Sequence, residues 1–141
     1  MKIRHVAALL SGVTILTTLT VPLAAEAAPP KDKCADPVMT KTFDHDQTGG
    51  WWAITLDMKC NSKFTKEYVV FIYNRKTRKA YHFETIPTRA STYHKVFTVA
   101  STPPSGKEVA CVDAQASVFG PSEEPWDSKR LYDCFPITSP A

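Results

Sequence analysis

Glycine is scarce in this chain, five in 141 residues, and the catalytic signatures built on glycine are missing. There is no Gly-x-Ser-x-Gly nucleophile elbow, no phosphate loop and no calcium loop, and no zinc-protease pattern either. Cys-x-x-Cys is also absent, which removes the usual redox dithiol and the common zinc spacing. No useful stretch carries the 3.6-residue apolar period, so a helical fold is not expected. The formal net charge of +3 is too weak to imply a nucleic-acid partner. Together these absences make catalysis the minority expectation, with no cofactor and no metal expected.

What is present begins with an export signature. Lys2 and Arg4 precede the largely apolar residues 6–23, and Ala25-Glu26-Ala27 has the small-x-small form that a signal peptidase requires. Ser11, Gly12, Thr14, Thr17, Thr18, Thr20 and Pro22 make the apolar stretch a poor bilayer-spanning helix. Lipid attachment is disfavoured because Lys31-Asp32-Lys33, not an apolar run, precedes the first cysteine, Cys34. The expected organisation is a signal peptide (1–27), an extended N-terminal segment (28–37), one β domain (38–138) and a short tail (139–141). Cleavage after Ala27 leaves 114 residues, enough for one core, and losing Lys2, Arg4 and Glu26 brings the charge to +2. The product should be extracellular, with no membrane span.

Beyond residue 37 a period of two recurs between turn residues. Trp52, Ile54, Leu56, Met58 and Cys60 alternate with Ala53, Thr55, Asp57 and Lys59, which predicts a strand with one buried face. Residues 68–73 are apolar throughout and rich in aromatic and β-branched side chains, the pattern of a central strand. Residues 80–86 suit its hairpin partner, ended by Pro87, which cannot donate to a ladder. Further strands are expected at 39–43, 92–100, 107–118 and 130–137. About seven short strands predict an all-β, antiparallel sandwich, immunoglobulin-like or fibronectin-like. The tryptophan expected on the third strand of antibody domains has no counterpart in residues 68–73.

Four cysteines, Cys34, Cys60, Cys111 and Cys134, all lie beyond the signal, and an even count in a small exported domain reads as two disulfides. Cys34 and Cys60 are centred beside the turn signal Thr48-Gly49-Gly50, and Cys111 and Cys134 flank the break at 120–125. The favoured pairing is therefore Cys34 with Cys60 and Cys111 with Cys134. Its rival joins Cys60 to Cys111 and Cys34 to Cys134.

Several residues are candidates for function. Asp44-His45-Asp46 carries three titratable groups in a row, but neighbours in a strand point to opposite sides, so a solvated turn is the expected outcome. If residues 80–86 and 92–100 form a hairpin, Glu84 and His94 could pair as acid and base in a small secreted nuclease, with Arg75, Arg78 or Arg89 stabilising phosphoryl charge. Arg75-Lys76-Thr77-Arg78-Lys79 forms a cationic hairpin tip able to meet an anionic glycan or an acidic protein patch. Trp51 must face away from Trp52, and Trp126 falls in the expected loop 122–128; either could stack on sugar rings or anchor a protein contact, or close an end of the core.

The expectation is thus a secreted, non-catalytic module that binds an extracellular protein or glycan through Trp51, Trp126, Arg75, Lys76, Arg78 and Lys79. A peptidase inhibitor using residues 101–106 or 120–126 as rigid loops falls within this class. A small hydrolase and a surface-assembly protein are the alternatives.

Overall fold

The computed structural model describes residues 28–121 and 124–140; the expected signal peptide lies outside them. Eight strands follow in order: β1 (Lys33–Cys34), β2 (Val38–Asp46), β3 (Gly49–Asn61), β4 (Lys66–Asn74), β5 (Ala80–Thr88), β6 (Thr92–Ala100), β7 (Val109–Phe119) and β8 (Pro125–Pro136). All neighbouring strands pair antiparallel. One sheet has β3 at its centre, with β6 on one side and both β1 and β2 on the other; the second runs β5-β4-β7-β8.

The two sheets share one core, as alternation requires. β3 and β6 contribute Ile54, Leu56, Met58, Tyr93, Phe97 and Val99, and the opposite sheet contributes Tyr68, Val70, Ile72, Ala110, Val112, Ala114, Ala116, Val118 and Phe135, all buried. Three of the five core-facing residues of β7 are alanine. Their small volume lets Cα atoms of β3 and β7 come within 8 Å, closer than the ~10 Å spacing usual between packed sheets.

Both disulfides join register partners within a sheet. Cys34 bonds Cys60 across β1 and β3, and Cys111 bonds Cys134 across β7 and β8, which is the pairing favoured from the sequence. Core-facing alternation along β7 leaves Cys111, Asp113, Gln115 and Ser117 on the outer face, so the second bridge lies on the outside of the four-stranded sheet.

Several boundaries differ from expectation. Residues 28–37 are tied down: Lys33 and Cys34 pair with β3, Asn61 Nδ2 donates to Pro29 O at 2.9 Å, and Ser62 Oγ donates to Asp32 Oδ1 at 2.7 Å. β5 continues through Pro87 to Thr88 because it is an edge strand, where proline is tolerated. β8 begins at Pro125, also on an edge, so Trp126 stands in a strand and not in a loop.

Residues 80–86 pair with 68–73 as expected, so the hairpin of 80–86 with 92–100 on which a Glu84–His94 pair was conditional does not form. β5 pairs with β4 while β6 pairs with β3, and residues 89–91 cross from one sheet to the other. Lys66 Nζ donates to Arg89 O at 2.8 Å, Tyr68 Oη to Ala90 O at 3.1 Å, and the Cys60 amide to Ser91 O at 2.9 Å. Three successive carbonyls of the crossover are thereby satisfied. Lys66 is buried without a carboxylate partner among the described residues, and desolvation, aided by the Arg89 charge, lowers its pKa. Burial raises the Tyr68 hydroxyl to about 12, so it remains a donor.

Where β5 and β6 meet at the rim, Glu84 accepts from Tyr93 Oη and from Lys95 Nζ. Burial opposes its ionisation, but the Lys95 and Tyr93 hydrogen bonds outweigh that and lower its pKa. Its contribution to stability is complete above the ordinary glutamate value of 4.5 and is lost as pH falls through the lower folded value. Glu84→Gln is expected to lower the melting temperature at neutral pH and to flatten its decline on acidification, measured by circular dichroism melts across pH.

Candidate functional site: a basic loop cleft beside an aromatic sheet face

At the end of β4, Asn74 organises the chain. It is buried, its Oδ1 accepts the amides of Lys76 (2.9 Å) and Thr77 (3.0 Å), and its Nδ2 donates to Tyr81 Oη (3.0 Å) and Glu108 Oε2 (3.3 Å). One side chain thus shapes the cationic turn and ties it to the loop before β7, an Asx-type use of asparagine. The Arg75 amide donates to Val109 O at 2.9 Å and reinforces the connection.

The facing loop is equally constrained. Residues Pro104–Gly106 form a 3-10 turn after Pro103. Thr102 and Glu108 carbonyls accept from Ser139 and Ile137, and the Thr102 amide donates to Ile137 O. Between turn and loop lies an open cleft of about 620 Å³ whose lining includes Arg75, Lys76, Thr77, Ser105, Lys107 and Glu108. Arg75, Lys76, Arg78, Lys79 and Lys107 have no ion-pair partner among the described residues, whereas Lys33, Lys41, Lys95 and Arg130 each meet a carboxylate. Glu108 is the one carboxylate among the described residues lining the cleft, and Asn74 holds it.

Two of these cations, like Asp32 elsewhere, have left-handed backbone. Arg78 has φ 62° and Lys107 φ 48°, in a left-handed region that costs a side-chain-bearing residue roughly 1–2 kcal/mol and that glycine adopts freely. Both positions carry a positive charge in spite of this cost.

From Arg78 the site continues onto the outer face of the four-stranded sheet. Arg78 Nη1 donates to Tyr73 Oη at 3.2 Å and its guanidinium lies 5.3 Å from the Tyr73 ring centre. Tyr73 and Tyr132 share a 3.1 Å hydroxyl contact, which with burial raises the Tyr132 pKa. Phe71 stacks on Tyr73 at 4.7 Å and meets Phe83 edge-on at 5.8 Å. Phe83 is 67% exposed and Tyr132 56% exposed. Register places Phe83, Phe71, Asp113 and Tyr132 in one row across β5, β4, β7 and β8. Arg130 grips Asp113 with two hydrogen bonds, Nε to Oδ1 at 2.7 Å and Nη2 to Oδ2 at 2.5 Å.

Of the four turn cations singled out in the sequence, Arg75 and Lys76 line the cleft, joined there by Lys107, while Arg78 turns to Tyr73 and Lys79 lies outside the lining. The structure does not bring the tryptophans to this site. Trp51 is half-buried on the outside of the other sheet, between Asp44 and Ala100, lining a shallow hollow with Thr48, Gly49, Gly50 and Thr98. Trp126 is 45% exposed at the opposite end of the sheets, where it packs edge-on against Phe64 at 4.9 Å and covers Gly120 so closely that a Cβ there would collide with its ring. Trp52 packs against the core, edge-on to Phe43 and Phe135.

Glu84 and His94 are also apart. Glu84 bonds Tyr93 and Lys95, whereas His94, of opposite parity on β6, has its Nδ1 2.5 Å from Asp57 Oδ1 on the outside of the sheet centred on β3. Asp46 in the Asp44-His45-Asp46 run accepts from Thr48 Oγ1 (2.6 Å) and its amide (2.7 Å), which lower its pKa, and all three residues are exposed. No set of three His, Cys, Asp or Glu side chains among the described residues is arranged to hold a metal ion.

The fold and site define an all-β, two-disulfide domain with a basic loop end. Compared with known proteins, the chain matches no family model, no curated protein and no solved structure.

Proposed function

We propose that this is an exported, non-catalytic binding module of the immunoglobulin-like or fibronectin-like class that recognises an anionic extracellular macromolecule through the cleft between residues 74–79 and 105–108. The strand order β2-β3-β6 against β5-β4-β7-β8 supports the class, and two disulfides support an oxidising compartment. The observation that carries the function is the convergence of Arg75, Lys76 and Lys107 on a constrained cleft of about 620 Å³, without ion-pair partners among the described residues. Constrained loops lose little entropy when a ligand settles on them.

Replacing Arg75, Lys76, Lys79 and Lys107 by serine tests this on a dextran sulfate column. A control protein with serine at Lys31, Lys59, Lys63 and Arg89 carries the same net charge. The salt concentration that elutes the cleft variant should fall to about half that of the control or lower, because like charges focused in a cleft attract an oppositely charged polymer more strongly than the same charges dispersed. Equal elution of the two variants rejects the cleft as the binding site.

A hydrolytic reading draws on one observation, the exposed Asp57 and His94 pair beside a hollow of about 250 Å³ that Asp36 and Lys59 also line. Nuclease and glycosidase assays on the wild type and on His94→Ala decide it, and no activity above the variant ends that reading.

A further inference from the structure

We infer that the ligand is an acidic polysaccharide whose sugar rings lie along the row Phe83, Phe71, Asp113, Tyr132 while its carboxylate or sulfate groups sit in the basic cleft, an inference that rests on the function proposed above. Three strand spacings separate Phe83 from Tyr132, about 14 Å, which suits an extended oligomer better than a single small anion. The row reaches the turn that forms one wall of the cleft, since Tyr73 and Tyr132 join it to Arg78, next in sequence to the cleft-lining Thr77, through hydrogen bonds of 3.1 and 3.2 Å.

The chemistry of the row separates a glycan from a protein partner. The cores of protein interfaces favour aromatic residues and Arg but are depleted of Asp, and here Asp113, held by Arg130, stands in the middle of the face. Arg130 is well exposed, and its two bonds to Asp113 leave Nη1 and a second Nη2 hydrogen pointing elsewhere. A surface that alternates aromatic rings with a guanidinium and a carboxylate matches a ligand that alternates apolar C–H faces with hydroxyl groups. Sugar rings have that character. The rings stand on paired strands, so stacking on them requires little reordering.

Binding of the protein to polygalacturonate, to polyglutamate at matched charge, and to neutral dextran provides the test, measured by biolayer interferometry at one ionic strength. The wild type should bind polygalacturonate at least ten-fold more tightly than polyglutamate and should not bind dextran. Phe83→Ala with Tyr132→Ala should remove that ten-fold preference while leaving polyglutamate binding intact and lowering the melting temperature only slightly, both residues being largely exposed and the Tyr132 bond to Tyr73 being lost. Lys76→Ser with Lys107→Ser should weaken binding to both acidic polymers. Equal wild-type affinity for the two acidic polymers, or a preference that survives the aromatic substitutions, overturns the polysaccharide assignment and leaves the anionic cleft standing. Binding to neither polymer, or binding that survives the lysine substitutions, overturns both readings.

Discussion

Removal of both disulfides should leave the domain largely unfolded at 37 °C. The bridges span sequence separations of 26 and 23 residues, and closing loops of that length restricts the unfolded chain by about 3.5 kcal/mol each. The combined ~7 kcal/mol is comparable with the whole stability of a typical domain, about 5–15 kcal/mol. Losing either bridge alone should lower the melting temperature by roughly 10–25 °C. The consequences differ locally. Cys111 and Cys134 lie in strands with a ladder running from Val109 to Phe119, which persists without the bond, whereas β1 has only two register pairs with β3. Substituting Cys34 and Cys60 by alanine should therefore also free residues 28–34, seen as fast amide exchange confined to that segment. A melting temperature insensitive to reductant would contradict the description of both bridges.

The second large effect separates stability from binding within a pair of neighbours. Ile72→Ala should cost about 2–5 kcal/mol, because Ile72 is fully buried on the central strand β4 opposite Val112, where a cavity cannot easily collapse. Phe71 is the preceding residue, on the outer side of the same strand, and its register partner is Phe83. Phe83→Ala should change stability by no more than about 0.5 kcal/mol while weakening the ligand preference. Urea midpoints measured for both variants give the comparison. A small loss for Ile72→Ala would mean that the two sheets pack less tightly around β4 than the structure has them.

Much of the architecture was legible because it depends on neighbours in sequence. Alternation along residues 52–60 and 110–118 identified the buried faces of β3 and β7, and turn chemistry placed the cysteine pairs across two hairpins. Partner choice was legible for the hairpin of β4 with β5 but not for β6. β5 and β6 each read as strands, but nothing local distinguishes a hairpin between them from a crossover whose carbonyls are held by Lys66 and Tyr68. Pro125 disguised the start of β8, since a proline reads as a break unless the strand is known to lie at an edge.

The same limit applies to the candidate site. The run at residues 75–79 announced itself by charge, and Asn74 before it carried the signal of a side-chain-capped turn. Phe83 and Tyr132 gave no such sign. Apolar residues at every position of 68–73 carry no parity, and the register shift between Ile72 and Tyr73 further obscures which face of β5 turns inward. His82, Glu84 and Ile86 face the other sheet, and Phe83 is left outside.

From its sequence alone the chain was committed to strands, to two local disulfides and to a cationic turn, because side-chain alternation, cysteine spacing and turn propensity act over a few residues or across one hairpin. Tertiary structure alone decided which strands share a sheet, that Lys107 faces Arg75 and Lys76, and that an aromatic row is exposed beside them. Those outcomes follow from burying one face of each sheet against the other, a free energy that belongs to contacts between distant segments and that no single segment encodes.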